Sequence, residues 1–589
     1  MVFENSLRKT LVFGALFTNL LVWPLYAQED VVMRAMQDEL TRSIEKLQLE
    51  ELEKPYFISY RVRDTKSAGA SGTLGSLLSS EERKARQLVV EVRVGDYTLD
   101  NTNFLSLSMG RSGLARMFGG RISLPVEDDY KEIRRHIWLA TDAAYKMALE
   151  DLSKKRAALQ NKTRTDEVPD FSKEQPIEIT DQRQSAEIDL AAAQELVRNI
   201  SVLFKQMPDI FTSKVEFEVT NFHTRYVNSE GTSFERNRSY TSFTARAGTQ
   251  AEDGMPLEDF IALFGRSRND LPEKQELVNR VREMGTRLAT LRKAPLVDLY
   301  NGPVLFEGQA AAELFAQGFA PRLLSIRRPI TDDPRYQRFA EQAQNPFQDR
   351  LGARVLPRFL HVIDDPTLTE YEDHALVGGY GIDDDGVPAG ETKVIQRGIL
   401  KALLSTRSPV PGVMQSTGNR RGSGPFPSNL IVRSTRELNG EELKQELLTL
   451  IHDLEKEYGI IVRRIGNRSF QALQDGSRRF FMPPGSETTQ IQGMNLAFKV
   501  YPDGREELIR NLQLSDFSVR AFKDIVATSD TYTVHSVPFS PPFRLPTAPA
   551  TVAIVSFVVP SLLFEEVTLK KPTAEIQTLP ILDSPLPRK

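Results

Sequence analysis

The sequence contains no cysteine in 589 residues. That absence excludes disulfides, thiolate zinc sites, iron–sulfur clusters, cysteine nucleophiles and sulfur-linked lipid anchors. Histidine is scarce, with His136, His223, His361, His374, His452 and His535 forming the whole set. Metal or acid–base chemistry must draw on those six imidazoles or on carboxylates. An excess of one charge is also lacking, since 75 basic residues face 79 acidic ones for a formal net of −4. Such a balance gives no electrostatic footprint for nucleic acid or an anionic membrane. The 40% hydrophobic and 26% charged content supports packed cores and a charged surface, which excludes collagen-like, mucin-like and wholly disordered chains.

Long hydrophobic runs are few. Residues 11–26 (LVFGALFTNLLVWPLY) follow Arg8 and Lys9 and precede Ala27 and the polar Gln28-Glu29-Asp30. A basic start, an apolar stretch and a small residue read as a signal peptide over residues 1–27, cleaved near Ala27. The expectation is an exported protein, periplasmic or extracellular, with no membrane segment after cleavage. The run at 551–564 (TVAIVSFVVPSLLF) is short, rich in β-branched residues and broken by Pro560. It reads as buried strands and their connection rather than a membrane span.

Between these runs the periodicity alternates between helix and strand. Met33, Met36, Leu40, Ile44 and Leu47 recur at helical spacing. Residues 56–63 and 88–97 alternate like half-buried strands, and the Gly/Ser-rich stretch 67–80 between them reads as a loop. A helix is predicted over 128–159, then a polar exposed connection over 161–183, then a second helix over 186–207. Strands at 215–227 and 240–247 are joined through a turn at Asn228-Ser229-Glu230-Gly231, and a helix over 272–292 closes this half. From Asn301 onward strands and Gly/Pro turns dominate, with one clear helix over 441–457. The pattern predicts an α+β protein of two domains: a mixed α/β N-terminal domain over 28–295, a β-rich C-terminal domain over 296–570, and an extended tail over 571–589.

The residues alone name no active site. No HExxH is present, and no two histidines lie within one helical turn. His361 and His374 bracket Asp364, Asp365, Glu372 and Asp373, a set that suits either an oxygen-rich ion site or a solvated hairpin; the hairpin is the expected reading. Asp383-Asp384-Asp385-Gly386 resembles part of a calcium loop, but the first and twelfth ligand positions fall on Gly381 and Thr392. It reads as a turn followed by a hairpin with Arg397-Gly398 at its tip. Nucleophile elbows, phosphate-binding loops and dinucleotide loops are absent. Basic residues are scattered, so no nucleic-acid partner is expected.

A resemblance adds what spacing does not. The segment YNGPVLFEG at 300–308 and the following AAAELFAQGF resemble the opening of the C-terminal domain of the TldD/PmbA proteins. VIDDPTL at 362–368, IDDDGVPAGETKVIQRGILKALL at 382–404, STGNRR at 416–421 and VPSLLFEEV at 559–567 follow in the family's order. RYVNSEGT at 225–232 and GMPLEDF at 254–260 suit its N-terminal half. The family, formerly described as modulators of DNA gyrase, is related to metallopeptidases.

In its active members a helix bearing HExxxH after the GPV strand supplies two zinc-ligating histidines and a glutamate base, and a cysteine of the C-terminal domain completes the site. Matching the alanine-rich approach sets Phe315 and Ala320 at the histidine positions and Ala316 at the glutamate, to within a residue. No histidine occurs between His223 and His361, and the cysteine is absent from the chain. Glu313 and Gln317, four apart on one helical face, read as an exposed polar stripe.

The resemblance therefore implies a catalytically silent member without a metal or other cofactor. It would shape a peptide-binding cavity or support an active homologue, with a TldD-like paralogue or a second copy as its dimer partner. The matching polar turn makes Ser416, Thr417, Gly418, Asn419 and Arg420 the candidate peptide-binding residues. Two other classes stay open: an active peptidase with zinc at a rearranged site around His361, Asp364, Asp365 and His374, and a homo-oligomeric scaffold or binding protein.

Overall fold

The computed structural model describes residues 30–572, apart from 106–121, 162–167, 182, 332, 335–336, 338–344, 468–490, 492, 511 and 541–551. Residues 1–27, expected to be a signal peptide, lie outside the described residues, as does the expected tail beyond residue 572. The N-terminal half is built on two long hairpins. Helix α1 (Val31–Lys46) begins where the Asp30 carboxylate accepts the Met33 N–H at 2.8 Å. Strands β1 (Pro55–Thr73) and β2 (Ser76–Val94) then pair antiparallel through a two-residue turn, with Leu74 and Gly75 at φ 49° and 77°.

The Gly/Ser stretch predicted as a loop is thus strand on both sides of a tight turn. Its small residues answer to packing: a Cβ on Gly72 would lie 2.8 Å from Val197 Cγ1, and one on Gly69 would lie 2.9 Å from Phe217 O. Bulkier side chains would lift the neighbouring helix and strand away.

Helix α2 (Tyr130–Asn161) and helix α3 (Leu190–Ser201) follow, the latter continuing as a 3-10 turn over Val202–Gln206. Strands β3 (Thr212–Asn228), β4 (Ser233–Gln250) and β5 (Pro256–Gly265) and helix α4 (Lys274–Leu291) complete this half. The sheet runs β2-β1-β3-β4 through its centre, all antiparallel, with short strands on its edges.

One face of the sheet carries Ile58, Tyr60 and Val62 against α1 and α2 at one end, and Ala70, Val215 and Phe217 against α3 and α4 at the other. The opposite face carries Arg61, Arg63, Arg236 and Arg238. The segment 161–183 is not the exposed connection expected from its polarity. Among its described residues Val168, Asp170, Phe171 and Ser172 are buried. Lys155 pairs with Asp170 at 2.6 Å with both side chains fully buried, and Glu178–Thr180 adds to β4 as a parallel strand. Asp170 is thus neutralised inside the fold, while Lys173, Glu178 and Arg183 of the same segment are exposed.

The C-terminal half is a twelve-stranded mixed sheet. Its elements include β6 (Leu299–Phe306), helix α5 (Gln309–Gly318), β7 (Leu360–Asp364), β8 (Thr392–Gln396), β9 (Asn429–Ser434), helix α6 (Gly440–Asp453), β10 (Gly459–Ile465), β11 (Met494–Val500), β12 (Glu506–Ile509), β13 (Ile525–Phe539) and β14 (Ala553–Lys570). The apolar run expected as strands with a connection is one continuous strand, β14. It lies antiparallel to β6 and β13 and parallel to β9. Pro560 is tolerated because it sits beside Tyr532, where the register with β13 shifts and the ladder is already interrupted.

Val304, Phe306, Leu562 and Phe564 point to the core that buries α5, while Leu305, Ile461 and Leu563 point to the face covered by α6. None of the described helices is long and apolar enough to cross a membrane.

The two halves meet at the acidic turn after Ile382. Asp384 is 4% exposed and receives Arg236 at 2.6 Å, Arg61 at 3.2 Å and Arg63 at 3.5 Å, plus the Gly422 N–H at 2.7 Å. Burial alone would raise its pKa, yet the three guanidiniums hold it well below the ordinary carboxylate value. Asp384→Asn should cost about 3–5 kcal/mol in urea denaturation at neutral pH, because it leaves buried guanidiniums without their anion. A depressed carboxylate stabilises the fold above its unfolded pKa of about 4 and loses that contribution as pH falls below it. The gap between wild type and variant should therefore shrink in acid. A gap independent of pH would contradict this.

Candidate functional site

Helix α5 starts at Gly308, whose φ of 54° turns the chain from β6 into the core. Phe315, Ala316 and Ala320, the positions matched to the metal motif from sequence, are 1%, 3% and 0% exposed and belong to the apolar core. Glu313 is the unexpected residue. It is 0% exposed rather than part of a polar stripe. Its carboxylate accepts Gln317 Nε2 at 2.9 Å, Asn467 Nδ2 at 2.9 and 3.1 Å, and His535 Nε2 at 3.0 Å. Gln317 Nε2 also reaches Gly466 O at 2.7 Å. Three elements are thus tied at one carboxylate: α5, the end of β10, and β13.

A second register of the motif fits the same helix. In HExxxH the glutamate and the second histidine are four apart, which is the spacing of Glu313 and Gln317, with Ala312 before them. In that register the acid falls on Glu313, and Ala312 and Gln317 take the two histidine positions. Sequence reasoning missed His535 and Asn467 because they lie 222 and 154 residues from Glu313. Scarcity was the one available signal, since His535 is one of six histidines and lies on a buried strand pair.

All six histidines lie among the described residues, and only His535 is bonded to this cluster. A zinc hydrolase site needs about three protein ligands and an open position for water. Here one imidazole and one carboxylate are already joined to each other, and the carboxylate's remaining acceptor capacity is taken by amides. The donor set does not fit a catalytic zinc.

Ser416, Thr417, Gly418, Asn419 and Arg420 are brought together as a turn whose polar groups bond inward. Gly418 N donates to Ser416 Oγ at 3.1 Å, and Thr417 Oγ1 accepts Ser405 N at 2.7 Å and donates to Asn419 Oδ1 at 2.7 Å. Asn419 is buried and donates to Asp364 Oδ2 at 2.8 Å and Phe426 O at 3.1 Å, while Arg420 pairs with Asp385 at 2.6 Å. Gly418 has φ 70°, and a Cβ there would meet Pro388 O at 2.6 Å. The turn braces the domain junction.

The alternative metal set is not gathered. Asp364 is buried and accepts Ser428 N and Oγ at 2.7 and 2.8 Å; burial pushes its pKa up to about 6. Burial and the neighbouring Asp385 raise Asp383 to about 7. His374 sits on an exposed two-residue strand with its ring beside Glu372 O, and His361 is lowered by burial and Arg397. No three His, Asp or Glu side chains converge into a metal cluster among the described residues.

Comparison with known proteins gives the geometry a context. The family model of the PmbA/TldA metallopeptidase C-terminal domain matches residues 301–571. TldE from Thermococcus kodakarensis has a similar structure, with a TM-score of 0.57 at 13% identity over 91% of this chain and 99% of that one. A candidate modulator of a DNA gyrase from Thermotoga maritima gives 0.57 at 14% identity over 91% and 99%. A metalloprotease from Methanocaldococcus jannaschii is 39% identical over 85 residues, 14% of this chain and 18% of that protein. One from Methanothermobacter thermautotrophicus is 25% identical over 186 residues, 31% and 36% of the two chains. The chain thus matches little more than a third of these metalloproteases at most. Fold and C-terminal domain together define a two-domain, metallopeptidase-like α+β protein. Residues 301–571 are a PmbA/TldA-type metallopeptidase C-terminal domain, carried in a chain whose fold is that of the TldE structure.

Glu313→Ala should lower the unfolding free energy by about 1–3 kcal/mol for each buried donor it strands, whereas Glu313→Gln should cost less because one acceptor oxygen is kept. Urea denaturation of both variants checks the order. An alanine variant as stable as wild type would show that the cluster contributes nothing to the core.

Proposed function

We propose that this chain is an exported, catalytically silent TldD/PmbA-like subunit that binds peptide and works beside a partner. The observation that carries the proposal is the state of Glu313. The residue at the glutamate position of the family's metal motif is locked by Gln317, Asn467 and His535, and the motif's other ligand types are missing. Such a helix retains its place in the core and loses the open coordination position that hydrolysis needs. Peptide would be held by main-chain pairing at an exposed strand edge, which gives affinity with little sequence demand.

The likeness to a protein named TldE supports a role beside a related chain, either a TldD-like paralogue or a second copy. The apolar run after Arg8 and Lys9 supports export to the periplasm or medium.

Purification of the full chain from its native host tests the proposal. The expected result is co-purification with a homologue that carries HExxxH and a signal peptide, with peptide cleavage residing in that partner. A chain that purifies alone and cleaves peptide in a chelator-sensitive manner would overturn it.

A further inference from the structure

The face of the N-terminal sheet that meets the C-terminal domain carries more positive charge than its partner neutralises. Arg61 and Arg63 lie on β1, and Arg236 and Arg238 lie on β4 across β3. Asp384 takes the first three. Arg238 extends beyond it, and its Nη2 donates only to backbone, to Gly378 O at 3.1 Å and Gly379 O at 3.3 Å. From the C-terminal domain the buried Arg421 donates Nη2 to the same Gly378 oxygen and Nη1 to Ile554 O at 3.1 Å. The two guanidinium carbons stand 5.7 and 4.5 Å from the Tyr380 ring centroid.

Two cations therefore share one carbonyl and one ring, and neither forms an ion pair with a carboxylate among the described residues. The Nε of each is buried without a partner. Asp364, whose field reaches Arg421, is already committed to Asn419 and Ser428. Like charges this close are costly in a poorly solvated site, and the carbonyls and ring offset only part of that cost. Burial, together with the neighbouring Arg421 and Arg236, lowers the pKa of Arg238 to about 9.

Arg238 is half-buried, and Gly381, next to Tyr380, is exposed with nothing within 4 Å of where a Cβ would stand. Two half-buried rings flank it on the same sheet face: Tyr240, 5.1 Å from the Arg238 guanidinium, and Phe222, packed edge-on to Tyr240 at 6.0 Å. A planar fork of N–H donors matches a carboxylate, and adjacent aromatic surface suits the side chain next to it.

We infer that Arg238, backed by Arg421 and Tyr380, receives the C-terminal carboxylate of a bound peptide, with Phe222 and Tyr240 against its last side chain. This rests on the peptide-binding reading above and gives it a direction: the peptide's free end is read at the domain junction.

Calorimetric titration of the full chain with acetyl-(Ala)4-Phe, as the free acid and as the C-terminal amide, tests the inference. The acid should bind about tenfold or more tightly than the amide, the usual scale of a charge-assisted pair. Arg238→Gln should abolish that preference, and Arg238→Lys should restore part of it. Equal affinities in wild type, or a preference that survives Arg238→Gln, would overturn the site. Benzoate separates this inference from the function it rests on. If neither peptide binds but benzoate does, and Arg238→Gln removes it, the carboxylate site stands and the peptide reading fails. Absence of benzoate binding together with absence of peptide binding, or equal binding of inorganic phosphate and benzoate, overturns the carboxylate site.

Discussion

A carboxylate in the middle of a dry core has to be neutralised or saturated with donors, and Glu313 is saturated. Its partners come from its own helix, from the residue after β10 and from β13, so three segments far apart in sequence are registered at one point. Around it Ala310, Ala311, Ala312, Leu314, Phe315 and Ala316 of the same helix are buried in one core with residues of β6 and β14. Glu313 is a structural acceptor that orients α5 against the sheet; an acid beside a metal-bound water would have to stay free to take a proton.

The second constraint acts between the domains. One buried aspartate, Asp384, answers three arginines of the N-terminal sheet, and the turn that carries it is braced by Arg420 and by the bonded run Ser416 to Asn419. The arrangement fixes which face of the sheet looks at the C-terminal domain. It also explains why residues that match a family motif are engaged inward: their polarity is used to hold a tight turn beneath the junction. Arg238 and Arg421 are the part of this interface left with carbonyls and a ring in place of an anion.

Much of the architecture was readable from sequence. Period-3.6 runs placed the helices, and alternation from Val215 to Val227 placed β3 because one side of that strand is buried. The errors share a physical origin. The 67–80 stretch looked like a loop because small residues usually signal turns, yet Gly72 is small because Val197 presses on it. The 161–183 segment looked solvated because it is polar, yet Asp170 is neutralised by Lys155 inside the fold. Glu313 looked exposed for the same reason. In each case the compensating partner belongs to another element of the fold, as Val197 does for Gly72, Lys155 for Asp170 and His535 for Glu313, and composition carries no information about such partners. The motif order of the C-terminal half pointed to the domain type that residues 301–571 match, but only the structure showed that Glu313 is buried and bonded.

The central proposal is that a hydrogen-bonded cluster around Glu313 stands on α5 in place of a catalytic metal centre. The most direct measurement is the zinc content of the purified full chain after equilibration with excess zinc and removal of the free metal, by plasma mass spectrometry. The account predicts zinc far below stoichiometric, unchanged by His535→Ala. Stoichiometric zinc that is lost in the His535→Ala protein would contradict it.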